Sequence, residues 1–194
     1  MEKTRTREIA ITAVLTALSI ALALSPMEYP FAPLPFLKFD IAELPVLAVS
    51  AMLGPVYALL STVILALSYV PRDPIGALFK FLAILSTALP LSLVTYVGLK
   101  STRKKLIAYF MGIISIVTRS LIMTLANYVL IPILYIPGIP LETVASWFGM
   151  NLFTFLGFIF LFNIIQGAIN VIPAVTLVLN LPREWAPNWL RSSD

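Results

Sequence analysis

The sequence predicts an all-α integral membrane protein with six transmembrane helices and proline-rich outer loops. Of its 194 residues, 60% are hydrophobic and only 11% are charged, whereas soluble domains have about 25% charged residues. A small soluble domain must cover its surface with polar groups, so most of this surface is expected to face lipid. The apolar residues also form runs near the length of about 20 residues that crosses a bilayer.

The first half of the chain contains three of the predicted helices. Helix 1 covers residues 8–25. Its basic start resembles a signal peptide, but further apolar segments follow, and we interpret it as a spanning helix rather than a cleaved leader. A proline-rich loop covers 26–38. The apolar stretch 41–70 is split at Gly54-Pro55 into helices 2 and 3, each short. A re-entrant hairpin is the alternative, and it leaves the sidedness of the remaining helices unchanged.

The second half supplies three more predicted helices. The last, Trp147 to Leu181, would be about 50 Å long, so we expect it to begin outside the hydrocarbon and to kink at Pro173. No internal repeat or soluble domain is visible, and residues 1–194 are treated as one membrane-embedded domain. The other segments are a turn at 70–76, helix 4 at 75–98, a basic linker at 100–105, helix 5 at 106–133 and a second proline-rich loop at 136–142.

The basic residues predict an orientation for this topology. Six crossings place both termini on one side, and nine basic residues then share that side, against Lys38 and Arg72 on the other. The positive-inside rule assigns the richer side to the cytoplasm. The basic excess is therefore explained by topology and gives no support for nucleic-acid binding. The nine are Lys3, Arg5, Arg7, Lys100, Arg103, Lys104, Lys105, Arg183 and Arg191.

Motifs for catalysis are missing from the sequence. It has no cysteine and no histidine, and it contains no GxxxxGK[ST], HExxH or GxSxG pattern. The acidic residues form no pair at a spacing suited to acid–base work, and we predict no metal site. We therefore expect a protein that is not an enzyme, and any uphill transport would need an ion gradient or a partner.

Polar side chains inside the predicted spans indicate a binding site, because such residues are costly in lipid. Those of helix 5, and those of helix 6, are spaced three and four apart and so share a helix face. Four of them, Lys80, Asn127, Asn163 and Gln166, are predicted at one depth below the outer loops. The full set is Lys80 in helix 4, Ser120, Thr124 and Asn127 in helix 5, and Asn163, Gln166 and Asn170 in helix 6.

Amide groups offer both donors and acceptors, so this set suits a neutral polar ligand in a pocket that opens outward. The alternative is that the amides only bridge helices, as is common in membrane bundles.

Arg119 lies about 100° from the Asn127 face. We interpret Arg119 as structural, bonding helix-end carbonyls, in preference to a ligand contact.

Helix 1 carries a separate pattern of small residues. Ala13, Ala17 and Ala21 recur at every fourth position. Such stripes allow close helix approach in lipid, and this one predicts a docking face for another membrane protein. Alanine is common in such helices, so chance is the alternative explanation.

The segments PFLKFDIAELP, MTLANYVLIPILY and FNIIQG together resemble the substrate-binding S component of energy-coupling factor (ECF) vitamin transporters, riboflavin type. PFLKFDIAELP, ending at Pro45, is similar to the signature PFLKFD-x-S-D-x-P at the start of helix 2. MTLANYVLIPILY, from Met123 to Tyr135, resembles the helix 5 pattern of an Asn-Tyr pair followed by Pro and Tyr. FNIIQG, from Phe162 to Gly167, resembles FN-x-x-K-G of helix 6. The order, the spacing and the six predicted spans agree over nearly the whole chain.

The resemblance implies a riboflavin-binding subunit that captures the vitamin from outside. Riboflavin would be the transported ligand and not a cofactor. The implied partners are a transmembrane T subunit, docked on the helix 1 alanines, and two ATPase subunits, in the plasma membrane of a prokaryote. The first loop and the start of helix 2 would form part of the pocket and its lid.

The resemblance also implies roles for individual residues. Asn127 and Asn163 would bond the flavin ring system. Gln166 stands where the family has lysine, so it brings a donor without a charge, and Lys80 is a candidate to supply the missing cation. The substrate-binding set predicted in this way is Leu37, Phe39, Asp40, Lys80, Thr124, Asn127, Asn163 and Gln166.

Other functions remain open at the level of sequence. Within the same class, the ligand would be another vitamin or precursor, namely thiamine, a queuosine precursor or FMN. Outside it, the chain would be a solitary secondary transporter, although the inverted repeats typical of those folds are not visible. A membrane enzyme acting on lipids would need a nucleophile or clustered acids, which the sequence does not provide.

Overall fold

In the computed structural model, four helices among the described residues are long and apolar enough to cross a membrane. The structure describes residues 2–98 and 102–191, so Lys100 of the predicted basic linker lies outside the described residues. Two of the long helical stretches are interrupted. One break separates α4 (Pro74–Ser92) from α5 (Val94–Val97), and the other is a π-helical segment, Ile131–Tyr135, that continues α6 (Lys104–Leu130). The four long helices are α1 (Glu2–Leu24), α4 (Pro74–Ser92), α6 (Lys104–Leu130) and α8 (Leu152–Leu179).

The second and third predicted helices are shorter than a bilayer crossing. Helices α2 (Leu44–Leu53) and α3 (Pro55–Tyr69) have 10 and 15 residues, or about 15 and 22 Å. The break at Gly54 falls where the sequence predicted it. Its φ of 91° lies in the region that favours glycine. Eight of the ten residues of α2 are buried, because α1, α3, α4 and α8 all pack around this helix. Six full crossings remain a prediction.

A residue near the end of the sequence supplies a hydrogen bond at the break between α2 and α3. Pro55 has no N–H group, so the carbonyl of Ala51 lacks its usual partner four residues ahead. The indole Nε1 of Trp189, on the short helix α9 (Asn188–Arg191), donates to that carbonyl at 2.9 Å. A Cβ atom at Gly98 would lie 2.7 Å from the Trp189 ring. The last turn of α2 is therefore completed by a residue 138 positions later.

The prediction of an all-α protein is wrong in the first loop. Strands β1 (Tyr29–Phe31) and β2 (Leu34–Phe39) form an antiparallel hairpin there, with Tyr29 opposite Phe39. The prolines in this segment led us to expect a loop. Proline is tolerated in edge strands, and both strands of a two-stranded hairpin are edges. Leu34, the first residue of β2, is fully buried and anchors the hairpin in the aromatic side of the bundle.

The last predicted segment is also divided. A short helix α7 (Leu141–Trp147) precedes α8. Gly149 between them has a φ of 70°, and the Asn151 side chain caps α8 by accepting a bond from the Thr154 N–H at 2.8 Å. The break confirms that the segment from Trp147 to Leu181 is not one straight helix. Helix α8 itself continues through Pro173, and the predicted kink there is untested.

Two buried clusters divide the bundle along its length. One, which we call the aliphatic core, lies around α2 and contains small and branched side chains together with Trp189. The other, the aromatic cluster, lies beneath the hairpin and the start of α8, where Phe39 stacks on Phe162 with ring centroids 4.8 Å apart. The aliphatic core includes Val46, Leu47, Ala51, Ala58, Leu65, Ile84, Ala88, Leu91, Ala108, Val171 and Ala174. The aromatic cluster includes Phe31, Leu34, Ile131, Leu141, Val144, Ala145, Phe155, Ile159 and Phe162.

Candidate ligand-binding site

A cavity of about 650 Å³ lies between the hairpin and helices α4, α6 and α8. Pockets of about 300–1,000 Å³ commonly hold small-molecule ligands. Phe39 and Thr124 are not among the described residues that line it: Phe39 stacks in the aromatic cluster, and the Thr124 hydroxyl donates to the Ser120 carbonyl at 2.7 Å. The other six predicted substrate-binding residues do line it, namely Leu37, Asp40, Lys80, Asn127, Asn163 and Gln166.

Four charged side chains meet at one side of the cavity. Lys80 Nζ lies 2.7 Å from both Asp40 Oδ2 and Glu43 Oε1. Glu43 is fully buried, and both of its carboxylate oxygens also accept bonds from the Arg119 guanidinium. An unpaired charge in such a position would cost several kcal/mol. Two acids and two bases cancel here, so the cluster carries no formal net charge.

The contacts in this cluster differ from the roles that the sequence analysis gave to Lys80 and Arg119. Lys80 is engaged with two carboxylates and does not supply a spare cation. The expectation that Arg119 bonds helix-end carbonyls is wrong: its partners are Glu43, the Asn163 Oδ1 atom at 3.2 Å and the Thr87 hydroxyl at 3.4 Å. Glu43 was missed as a site residue, although an arginine in mid-span requires a buried counter-ion.

Gln166 holds the backbone of Asp40. Its Nε2 donates to the Asp40 carbonyl at 2.9 Å, and the Asp40 N–H donates back to Oε1 at 3.3 Å. Asn170 Nδ2 donates to the same carbonyl at 2.9 Å. Asp40 follows β2 directly. The two amides of α8 therefore fix the point where the hairpin joins the helical bundle.

These contacts form a closed polar network that begins and ends on α8. It links α8, the end of β2, α4, the start of α2 and α6. Each bond lies between 2.7 and 3.3 Å, apart from the shorter contact between Arg119 Nη1 and Glu43 Oε2. Loss of one member would leave its neighbours buried without partners, a cost of about 1–3 kcal/mol for each polar group. In order, its members are Gln166, Asp40, Lys80, Glu43, Arg119 and Asn163.

The two asparagines predicted as ligand contacts are not equivalent. Both are at most 3% exposed, and each amide nitrogen donates to the carbonyl one turn earlier. The Asn163 oxygen accepts from Arg119 Nε. The Asn127 oxygen makes no hydrogen bond within the described part of the chain. Asn127 is thus the residue whose acceptor is free to face a ligand.

Aromatic side chains form much of the remaining wall, and the sequence argument did not use them. Their flat, apolar faces suit a planar ring system. Part of the signal was present, because Phe36 lies in the first proline-rich loop and Tyr135, Trp147 and Phe148 lie near the second. They are Phe36, Tyr69, Phe79, Tyr135, Trp147, Phe148, Phe155 and Phe162.

The mouth of the cavity carries a second group of charges. Glu28 lies 2.8 Å from Lys38 Nζ and 3.7 Å from Arg72 Nη2. Asp73 caps α4 by accepting from the Gly76 N–H. Lys38 and Arg72 are about half exposed, and such pairs contribute roughly 0–1 kcal/mol. With this group included, four acidic and four basic residues of the described chain line the cavity, and their formal charges cancel.

The alanine stripe of α1 lies on the outside of the bundle. Ala13, Ala17 and Ala21 are all exposed, whereas the opposite face of α1, with Thr16 and Ser19, is buried. The stripe is thus accessible to lipid or to another membrane protein.

An apolar helical bundle with a ligand-sized, charge-balanced cavity defines a membrane-embedded binding protein. The family model for the ECF transporter substrate-specific component matches residues 7–178. The chain therefore belongs to this family and is the substrate-specific S component of an ECF transporter, a membrane protein whose family implies a substrate, a T subunit and ATPase partners. Its function is that of a transporter subunit.

The fold agrees with this assignment. The solved structure of the S component of a bacterial ECF transporter superposes with a TM-score of 0.69 at 22% sequence identity, covering 89% of this chain and 94% of that chain. At this identity the likeness shows the fold alone. No curated protein sequence matches the chain.

Proposed function

We propose that this S component binds riboflavin and captures it from outside the cell for uptake powered by partner ATPases. The observation that carries the proposal is a ligand-sized cavity with aromatic walls and no formal net charge. Riboflavin is neutral at pH 7 and has a planar ring system whose edge carries N–H and carbonyl groups. The free acceptor of Asn127 and the aromatic faces complement those features.

Charge favours riboflavin over two of the alternatives. Thiamine carries a permanent positive charge, and FMN carries a phosphate. A charged ligand would need an unpaired opposite charge in the cavity, whereas Asp40, Glu43, Lys80 and Arg119 are already paired. A queuosine precursor is distinguished from riboflavin by direct competition.

Within this proposal the cavity residues divide into two groups. Asn127 accepts from a ring N–H group, and the aromatic side chains hold the ring plane. Asn163 contributes the second hydrogen of its amide nitrogen, while Asp40, Lys80 and Gln166 keep the cavity in shape. Leu37 supplies apolar contact beside the mouth.

The binding proposal is tested by titrating purified protein with riboflavin and following the quenching of flavin fluorescence. We expect saturable binding that excess thiamine or FMN does not displace. Co-purified flavin would also colour the protein yellow. If thiamine or FMN competes as well as riboflavin does, the charge argument fails.

We further propose that both termini are cytoplasmic and that the T subunit docks on the alanine stripe. Ala17→Trp should then leave riboflavin binding intact and abolish uptake, because bulk on a close-packed face prevents approach. Leu18→Trp, at an exposed position of α1 about 100° around the helix from Ala17, is the matched control. Uptake at the wild-type rate in the Ala17 variant would rule out this docking face.

A further inference from the structure

A second cavity, of about 230 Å³, lies at the end of the bundle opposite the ligand cavity. It is bounded by the start of α1, the ends of α2 and α5, and the C-terminal segment. Arg7 and Arg191 both line it. So do Trp185 and Tyr96, which are 52% and 58% exposed. The lining combines these two cations and two exposed aromatic side chains with the buried Trp189.

Both guanidinium groups point to the same backbone oxygen. Arg7 Nη2 and Arg191 Nη2 donate to the Glu184 carbonyl at 2.7 and 3.1 Å. Arg191 Nε also donates to the Ala186 carbonyl at 2.7 Å, and Arg7 Cζ lies 5.2 Å from the centroid of the Trp185 ring. A guanidinium has five N–H donors, so the described chain uses only a minority of those available.

The charges of the described residues that line this cavity do not balance. Neither arginine makes an ion pair with a carboxylate in the part of the chain that the structure describes. Glu8 is the acid among the described lining residues, and its Oε2 accepts from the Tyr57 hydroxyl at 2.9 Å. Two like charges held against one neutral oxygen repel each other, and an anion between them would relieve that repulsion.

We propose that this cavity binds the phosphate of an anionic phospholipid headgroup. Guanidinium groups suit phosphate oxygens because they donate in a planar fork. Exposed Trp and Tyr side chains are typical of the level where lipid headgroups lie. The apolar span of α1 begins at Arg5, so Arg7 lies at that level. This inference does not depend on riboflavin as the ligand.

The experiment compares two lipids on the full-length protein in a zwitterionic detergent. Phosphatidylglycerol and phosphatidylcholine with the same acyl chains are titrated, and retention is measured by native mass spectrometry. We expect wild type to retain phosphatidylglycerol preferentially. A basic residue near an anionic headgroup contributes about fivefold in affinity, so Arg7→Gln and Arg191→Gln should each weaken retention about fivefold. Lys105→Gln, an exposed basic residue outside this cavity, should leave retention unchanged.

Several outcomes would overturn the proposal. Equal retention of the two lipids by wild type would do so without any variant. So would a folded double variant, checked by its helical circular dichroism, that retains phosphatidylglycerol as wild type does. Inorganic phosphate that displaces phosphatidylglycerol at equal concentration would show that the site takes a soluble anion and not a lipid. Arg7→Lys keeps the charge but loses the fork, and it should fall between wild type and Arg7→Gln.

Discussion

The two ends of the bundle differ in the side chains that fill them. The aliphatic core around α2 consists mainly of alanine, valine and leucine packed between four helices. The aromatic cluster combines the rings of Phe31, Phe155 and Phe162 with aliphatic side chains, and it borders the ligand cavity. Small side chains permit close helix contact and leave few voids, whereas the other end of the bundle leaves room for a ligand. The closed polar network lies at the boundary and joins the two.

The largest effect is expected from removing the negative charge of Glu43, in the polar network between the two ends of the bundle. Glu43→Gln leaves Arg119 and Lys80 buried with Asp40 as their remaining acid. Breaking a buried ion pair costs about 3–5 kcal/mol, so we expect a large fall in the thermal unfolding midpoint of the detergent-purified protein. Glu28→Gln, in the exposed pairs at the mouth, is the control and should change stability by less than about 1 kcal/mol. Equal falls in the unfolding midpoint for the two variants would show that the buried network contributes no more to stability than the exposed ion pairs do.

The second test separates ligand contact from support. Asn127→Leu should weaken riboflavin binding about ten- to a hundredfold, because a buried ligand N–H loses its acceptor. The unfolding midpoint without ligand should hardly change. Asn163→Leu should lower both affinity and stability, since Arg119 Nε loses its partner. Fluorescence titration and thermal unfolding of both variants give the answer, and Asn127→Leu with wild-type affinity would show that the site is misassigned.

The third test concerns Gln166. Lysine has no acceptor, so Gln166→Lys loses the bond from the Asp40 N–H and adds a third cation beside Lys80 and Arg119. We expect riboflavin affinity to fall about tenfold, roughly 1.4 kcal/mol. Gln166→Met removes the bonds without adding charge and should show a smaller fall. Tighter binding by the lysine variant would instead make this position a direct ligand contact.

The smallest expected effect is at the aliphatic end. Trp189→Phe keeps most of the ring but removes the hydrogen bond to the Ala51 carbonyl. Stability should fall by about 1 kcal/mol, with riboflavin affinity unchanged because the change lies at the far end of the bundle. Trp185→Phe is a matched control, since Trp185 is exposed and its Nε1 has no such role. A loss of affinity in Trp189→Phe would mean that the two ends are coupled.

The sequence predicted the long helices and the break at Gly54, because hydropathy and glycine–proline signals are local. It also predicted that Asn127, Asn163 and Gln166 line one cavity. Polar helix faces are costly in contact with lipid, so they are expected to face the interior of the bundle. The sequence did not predict the hairpin, because prolines obscure strand pairing in so short a segment. The partners of Arg119 were missed for a different reason. Glu43 is 76 positions away in sequence, and the pairing depends on how four elements pack.

The role of Gln166 shows a further limit. Its position on α8 was predicted correctly, but a side-chain amide serves a ligand and a backbone equally well. In the structure the Gln166 amide bonds to the backbone of Asp40, 126 residues earlier. The motif likeness did not predict that contact, and a ligand contact for Gln166 stays a prediction.

The bond between Trp189 and Ala51 has a consequence for biosynthesis. Trp189 is synthesised 138 residues after Ala51. Throughout that interval the Ala51 carbonyl lacks its indole donor, and Pro55 has no N–H group to replace it. The central helix of the bundle can therefore complete its hydrogen bonding only after all four long helices, which precede Trp189 in the sequence, have been synthesised.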